Sequence, residues 1–318
     1  MKEFQLIEKF FKPLTNSNKA ARGLIDDVAK ISLKKNEELV LSKDLFVEDV
    51  HFLAQDGAFK IASKLLRTNI SDLASAGATP LYYMLGFSKN ETVDEKFMKE
   101  FARGLKSVQD ELGLCLIGGD TVKSEKLVFS VTVFGSVKKN KTMSRANAKI
   151  GDLIFVSGTI GDAFLGLNKS ENIFLKNRHF FPTARIELGK KLLEKNLSKC
   201  AIDVSDGLLS DLRHICEASK LAAEINLNQI PISAPAKKFL AKNSAITILD
   251  LISGGDDYEL IFSSNPKNRK KILQLSKELK LDISCIGEFK KSENKKFSIT
   301  LFDQKNQKIK IKKFGYEH

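Results

Sequence analysis

The acidic residues of this 318-residue chain are oddly placed for a sequence with 52 Lys and Arg against 39 Asp and Glu. Many stand beside glycines or small residues, at the ends of strand-like runs and the starts of helix-like ones. They include Asp26-Asp27, Asp44, Asp72, Asp120 after Gly118-Gly119, Asp203 with Ser205-Asp206-Gly207, and Asp256-Asp257 after Gly254-Gly255. A turn or a helix cap accounts for any one of them, since Asp, Ser and Gly favour such places. Six such segments in one chain ask for a shared purpose. Carboxylates gathered together repel one another and raise their own pKa values unless cations intervene. Magnesium is a hard cation held by a few carboxylates, waters and substrate phosphates. Phosphoryl transfer uses such ions to bridge phosphate oxygens and neutralise developing charge. The pattern therefore predicts carboxylate-held Mg²⁺ and a polyphosphate.

Other chemistries find little support. There is no G-x-x-x-x-G-K-[ST] loop and no H-R-D with D-F-G. Gly158-Thr159-Ile160-Gly161 lacks the full G-x-G-x-x-G and reads as a tight turn into a helix. Ser205 lies in V-S-D-G rather than G-x-S-x-G, so no hydrolase elbow is present. His51, His179, His214 and His318 include no metal-spaced pair. Cys115, Cys200, Cys216 and Cys285 form no C-x-x-C, which suits reduced, semi-buried thiols in a cytoplasm.

The net charge of +13 is spread along the chain, +5 over residues 1–150 and +8 over 151–318. Its densest run, Lys267–Lys271, has no interleaved aromatics for stacking on bases, so a solvated lysine surface is expected rather than nucleic-acid binding. No apolar run approaches the roughly 18 residues of a membrane span. The N-terminal MKEFQLIEKFFKPL has no signal-peptide core or cleavage site. A soluble cytoplasmic protein follows, binding neither membrane nor nucleic acid.

The elements that must carry the acidic residues are legible in outline. Glu38–Leu45 alternates as a strand running on toward His51 and Phe52. Apolar residues from Ala58 to Ala76 recur at helical spacing, and Gly77 to Pro80 end that helix. Then come a strand at Leu81–Phe87, a helix at Asp94–Leu112, and strands at Leu114–Ile117 and Leu127–Val137. The polar, basic segment from Lys138 to Ile150 precedes a new strand at Gly151–Val156. The second half predicts a helix near Thr183–Lys195, a strand ending at Asp203, a helix from Gly207 and a strand around Ala222–Leu227. The length exceeds what one core usually supports, so two α/β or α+β domains are expected, residues 1–140 and 141–318.

Together these segments resemble the thiamine-monophosphate kinases of the aminoimidazole-ribonucleotide synthetase superfamily. The matches begin at Gly23-Leu-Ile-Asp26-Asp27, Ser42-Lys-Asp44-Leu-Phe-Val-Glu-Asp-Val-His51-Phe52 and Asn69-Ile-Ser-Asp72-Leu-Ala-Ser-Ala-Gly77. They continue through Gly118-Gly-Asp120-Thr121, Ser144-Arg145 with Gly151-Asp152, and Ile202-Asp203-Val-Ser205-Asp206-Gly207. Ser253-Gly-Gly-Asp256-Asp-Tyr-Glu-Leu260 and Gly315-Tyr316-Glu-His318 close the series. Single motifs here are weak; eight in family order over almost the whole chain are specific.

The resemblance implies a two-domain aminoimidazole-ribonucleotide-synthetase-like fold. Residues 1–140 would bind ATP and Mg²⁺ and pair in a homodimer, and residues 141–318 would complete the active-site cleft. By motif position, Asp27, Ser42, Asp44, Asp72, Asp120, Asp203 and Asp206 would hold several Mg²⁺ ions. Gly119, Asp120, Arg145 and Ser205 would contact ATP, and His51, Asp256 and Tyr316 would bind thiamine monophosphate. Asp44, Asp120 and Arg145 would serve catalysis by direct in-line γ-phosphoryl transfer to thiamine monophosphate, giving thiamine diphosphate. The acceptor is already an anionic phosphate, which agrees with the missing general base. A sister ATP-using synthetase of the superfamily or a non-enzymatic nucleotide-binding protein are the alternatives. Three residues depart from the family pattern. Ile25 replaces a glycine, Lys43 a threonine and Asp256 a glutamate. A charged lysine does not ligate Mg²⁺, and its ammonium could meet a phosphate instead.

Overall fold

The structure, a computed structural model, describes residues 3–167, 169–293 and 297–316. The last residue of the closing motif, His318, lies outside them. The chain forms two compact units, Met1–Leu73 with Ala78–Asn140, and Ala74–Gly77 with Lys141–His318.

In the first unit a short helix α1 (Glu3–Leu6) and single turns lead to strand β1 (Glu37–Val47). Helix α2 (Ala58–Ala76, whose residues from Ala74 on count with the second unit), strand β2 (Thr79–Lys89), helix α3 (Glu95–Leu112) and strands β3 (Cys115–Lys123) and β4 (Val128–Lys138) follow. The sheet order is β1-β4-β2-β3, antiparallel except for the parallel β2–β3 pair. Strand side chains alternate between faces. On one face, Phe87 and Phe129 pack with Phe101 of α3, Phe129 lying 5.1 Å from Phe87 and 4.8 Å from Phe101 between ring centroids. Asp94 caps α3 by accepting the Phe97 N–H at 2.7 Å, and Gly113 ends it in the left-handed conformation. On the other face the chain around Ala20, Ala21 and Ile31 covers Cys115, Ile117, Met84 and Phe134.

The second unit contains β5 (Leu153–Ser157), α4 (Asp162–Gly166), α5 (Ile173–Phe180), α6 (Ile186–Glu194), β6 (Cys200–Asp203), α7 (Leu208–Ser219) and β7 (Leu221–Asn226). After these come α8 (Ala234–Leu240), α9 (Ile248–Ile252), β8 (Leu260–Ser264), α10 (Arg269–Leu279), β9 (Ile283–Lys291), β10 (Ile299–Phe302) and β11 (Lys308–Ile309). The strands form one mixed sheet, ordered β11-β10-β7-β9-β5-β8-β6. Every residue of β6 and β8 is buried, so both faces of the sheet are covered there. Both units mix helices and strands, as expected.

Three boundaries differ from the sequence reading, each for a local reason. β3 runs on to Lys123, because its polar Gly-rich half is held by ladder bonds to β2 rather than by its own propensity. Pro80 belongs to β2 rather than to the end of α2, and the pairing with β4 shifts register beside it, where proline offers no N–H. α6 begins at Ile186, and Arg185 stays outside it, committed to a buried carboxylate described below.

At Gly104, α3 packs closely on α2. A Cβ there would stand 2.4 Å from the Phe59 carbonyl oxygen and 2.9 Å from Ala62 Cβ. Gly104→Ala should therefore lower stability by roughly 1–3 kcal/mol, although alanine is the better helix former. Urea denaturation measures this, and an unchanged or raised midpoint would show that the helices separate freely.

Candidate active site

β1 carries the first group of predicted ligands. Ser42 and Asp44, two residues apart, share the face of β1 that also buries Phe46, while Lys43 projects to the opposite, exposed face. Lys43 is thus turned away from the pair it separates. Asp72 sits on α2 and accepts a hydrogen bond from Ser42 Oγ at 2.5 Å. Burial, then the neighbouring Asp72 carboxylate, pushes the Asp44 pKa up to about 6. Ser42, Asp44 and Asp72 are therefore brought together by one strand face and one helix.

A second grouping lines a cavity of about 150 Å³, where Asp27 meets Gly118, Gly119, Asp120 and Thr121. Asp27 is exposed and follows Asp26, whose side chain pairs with Arg22 at 2.5 Å. Gly119 is required as glycine, because a Cβ would lie 2.0 Å from the Leu85 carbonyl oxygen. In the sheet, Asp44 stands level with Gly119 through Val131 and Leu85, and Asp120 stands one rank along through Gly86 and Ser130. Ile25 is exposed beside this cavity and packs into no core. His51 follows β1, stacked on Phe46 at 5.2 Å. Its Nδ1 accepts the Val47 N–H at 3.1 Å, which leaves Nε2 as the proton-bearing nitrogen of the neutral ring.

In the second unit the predicted residues converge on the loop after β6. Asp203 ends that strand, buried, and Ser205 and Asp206 follow half-buried. The Asp256 N–H donates to the Ser205 carbonyl at 2.8 Å, and the Tyr316 N–H donates to the Asp206 carbonyl at 2.9 Å. Gly315 permits that approach, since a Cβ there would lie 2.5 Å from the Asp206 oxygen. Ser205, Asp206, Asp256 and Tyr316 thus form one neighbourhood, with the Tyr316 side chain exposed. Arg145 stands elsewhere in this unit, in an exposed turn whose carbonyl accepts from Ser219 Oγ at 2.7 Å.

Two features escaped the sequence reading. Asp211, in the first turn of α7, is buried and accepts the N–H groups of Asp206 and Gly207 at 3.1 and 3.2 Å. Burial, then Asp203 and Asp206, drives its pKa well up. Carboxylate oxygens of Asp206 and Asp211 and a ring nitrogen of His214 lie within 4.8 Å of one another. The helical i, i+3 spacing of Asp211 and His214 was the available signal.

The second is a buried ionic scaffold. Glu259, with no exposed surface, accepts from Arg178 Nη2, Arg185 Nε and Ser157 Oγ, each at 2.6 Å. Asp257 accepts the Gly161 N–H at 2.8 Å at the start of α4, and burial raises its pKa. The cysteines stand apart from this chemistry: burial pushes both Cys200 and Cys216 up to about 12, far from a reactive thiolate.

These clusters test whether a divalent cation fits. Carboxylates that raise one another's pKa are held together against repulsion, and hard oxygen donors of this kind suit Mg²⁺. Fold and donor set define a class: a two-unit α/β protein whose clustered carboxylates fit a divalent cation. Residues 25–137 match the family described as AIR synthase related protein, N-terminal domain, and residues 149–300 match its C-terminal domain. A thiamine-monophosphate kinase of Haemophilus influenzae is 37% identical over 297 residues, covering 90% of this chain and 89% of that protein. The crystal structure of thiamine-monophosphate kinase from Stenotrophomonas maltophilia K279a aligns with a TM-score of 0.83 at 33% identity, over 95% of this chain and 96% of that one. A structure of AaThiL complexed with AMPPCP and TMP aligns with a TM-score of 0.77 at 27% identity, over 99% and 97% of the two chains. The chain belongs to the AIR synthase related family, on its thiamine-monophosphate kinase branch.

The raised Asp44 pKa carries a stability consequence. The carboxyl keeps its proton to about pH 6 in the folded protein and to roughly 4 when unfolded. The metal-free fold therefore loses stability as pH rises between these values and bears the full penalty above 6, about 3 kcal/mol at most. In EDTA, Asp44→Asn should raise the melting temperature at pH 7.5 and leave it nearly unchanged at pH 4.5. A lower melting temperature at pH 7.5 would contradict the crowding of Asp44 with Asp72.

Proposed function

We propose that this protein transfers the γ-phosphoryl group of ATP directly to the phosphate of thiamine monophosphate, yielding thiamine diphosphate and ADP. The observation that carries the reading is the pairing of crowded carboxylates in both units with family motifs across the chain. The AMPPCP and TMP complex of a relative supports ATP as co-substrate and thiamine monophosphate as acceptor.

In this reading Asp27, Ser42, Asp44, Asp72, Asp120, Asp203 and Asp206 hold Mg²⁺, with Asp211 added from its burial beside Asp203 and Asp206. Bound Mg²⁺ supplies charge neutralisation of the phosphates and a template for their oxygens. Gly119, in the cavity lining beside Asp120, contacts ATP together with Asp120 and Arg145. Ser205, half-buried, offers its hydroxyl to the nucleotide. Arg145, exposed and cationic, opposes the negative charge on donor and acceptor. His51 donates from Nε2, Asp256 accepts from the thiamine moiety, and the exposed Tyr316 ring packs on its heteroaromatic surface. No residue need deprotonate the acceptor, whose phosphate oxygen is already anionic. Orientation and charge screening are then the whole task.

We place the protein in the cytoplasm, supported by four unpaired thiols. Among the described residues no helix is long and apolar enough to cross a membrane. We also propose a homodimer formed through the first unit. Leu39, Leu41 and Leu45 are exposed along β1, an edge strand, and such an edge invites pairing.

A coupled assay with ATP, MgCl₂ and thiamine monophosphate should give thiamine diphosphate and ADP in equal amounts, abolished by EDTA. Asp44→Asn and Asp120→Asn should each cost about 100-fold or more in kcat, the scale of a lost electrostatic contact in a transition state. ATP binding without thiamine diphosphate would move the assignment to a sister activity. For the dimer, light scattering should report two copies for the wild type and one for Leu41→Glu/Leu45→Glu, while a wild-type monomer refutes that part of the reading.

A further inference from the structure

Arg178 and His179 are neighbours in the last turn of α5, and they bind two residues of the segment before β8. Arg178 Nη2 donates to Glu259 Oε1 at 2.6 Å, and His179 Nδ1 lies 3.1 Å from Asp256 Oδ2. Two adjacent side chains thus register α5 on the four-residue segment Asp256–Glu259 at two points. The anchor point is fully buried, since Glu259 has no exposure and is shared with Arg185 and Ser157. The second point is graded. The His179 side chain is 6% exposed and that of Asp256 is 28% exposed.

The backbone at Asp256 is held as firmly as its side chain. Asp256 adopts φ +68°, in the left-handed region, and Tyr258 adopts +51°. Non-glycine residues stay there only where the surroundings over-determine them. The N–H groups of Asp256 and Tyr258 donate to Ser205 and Val204 carbonyls, both at 2.8 Å. With the backbone pinned, the carboxylate retains only the rotations of a short side chain. One hydrogen bond from a buried imidazole is enough to select among them. His179 itself is braced edge-on by Phe180, the ring centroids 4.9 Å apart.

We infer that His179 is a positioning residue that fixes the Asp256 carboxylate through Nδ1–H···Oδ2 and so presets the binding of the thiamine moiety of the acceptor. The inference rests on the proposed role of Asp256 in binding thiamine monophosphate. A preset carboxylate binds without first losing rotational freedom, so its effect falls on acceptor affinity rather than on phosphoryl transfer or ATP binding.

The test is steady-state kinetics on the full chain with ATP and thiamine monophosphate. His179→Leu should raise KM for thiamine monophosphate by about 10-fold, the scale of one hydrogen bond to a charged group. Its kcat and its KM for ATP should stay within about 2-fold of wild type. His179→Asn places an amide N–H near the position of Nδ1 and should recover most of the loss. In an Asp256→Ala background, His179→Leu should add little further. An unchanged acceptor KM, an equal rise in the ATP KM, a failure of asparagine to rescue, or a full effect without Asp256 would each overturn the inference. Should His179→Leu melt early, His179→Phe, which keeps a planar ring without a donor, carries the same expectations. The control separates the two readings. Asp256→Ala with normal acceptor KM removes the role of Asp256 itself, whereas a raised KM there with a silent His179→Leu removes only the role of His179.

Discussion

Holding carboxylates close to one another is the constraint around which this protein is organised. Like charges at short range oppose folding, and the opposition grows as water is excluded. The two units meet it in different ways. In the first, a strand supplies Ser42 and Asp44 at its two-residue period, and α2 supplies Asp72, which the serine hydroxyl holds. In the second, a strand end, a loop and a helix start supply Asp203, Asp206 and Asp211 within nine residues of chain, and loop N–H groups from Asp206 and Gly207 bind the innermost carboxylate. Both arrangements leave at least one carboxyl whose pKa is raised by burial first and by its neighbours second.

Such clusters persist only on rigid supports. Glu259 is the clearest support, a buried anion between two arginines and a serine. Removing either kind of partner would strand a charge in a dry interior, so the set holds or fails together. Burial tends to depress the pKa of Arg178, but Glu259, Asp257 and Asp162 outweigh it and the guanidinium stays charged. That balance ties α5 and the residue before α6 to the segment that carries Asp256. The positive φ angles at Asp256 and Tyr258 are sustained by the same framework.

Much of this was legible in the sequence, and what was missed has a physical reason. α2 is bounded by Ala58 and Ala76, where the periodicity placed it, because an amphipathic helix repeats its pattern over five turns. The acidic segments were visible because glycines and small residues flank them. Asp211 was not, because it sits inside a helix among leucines, and only the fold shows that its face is turned toward Asp206. Glu259 could not be singled out either, since its two arginines lie more than 70 residues away in the chain. The predicted strand stopped at Ile117 because Gly118, Gly119 and Asp120 carry no strand signal, and the ladder to β2 supplies what propensity lacks. The Lys43 departure looked like a lost ligand; the pleat shows it on the opposite side of β1.

Burial divides the candidate residues into two groups. Asp27, Asp120, Arg145 and Tyr316 are exposed, while Asp203, Asp211, His179 and Glu259 are buried. A transfer between two phosphates needs no proton taken from the acceptor, so no buried base of tuned pKa is required among the exposed groups. What it needs is screening of the charge on two phosphates and their alignment. A hydroxyl acceptor would have demanded the reverse, a titratable group beside the nucleophile. Two of the histidines have a ring nitrogen committed to a protein partner: His51 Nδ1 accepts the Val47 N–H, and His179 Nδ1 lies 3.1 Å from Asp256 Oδ2.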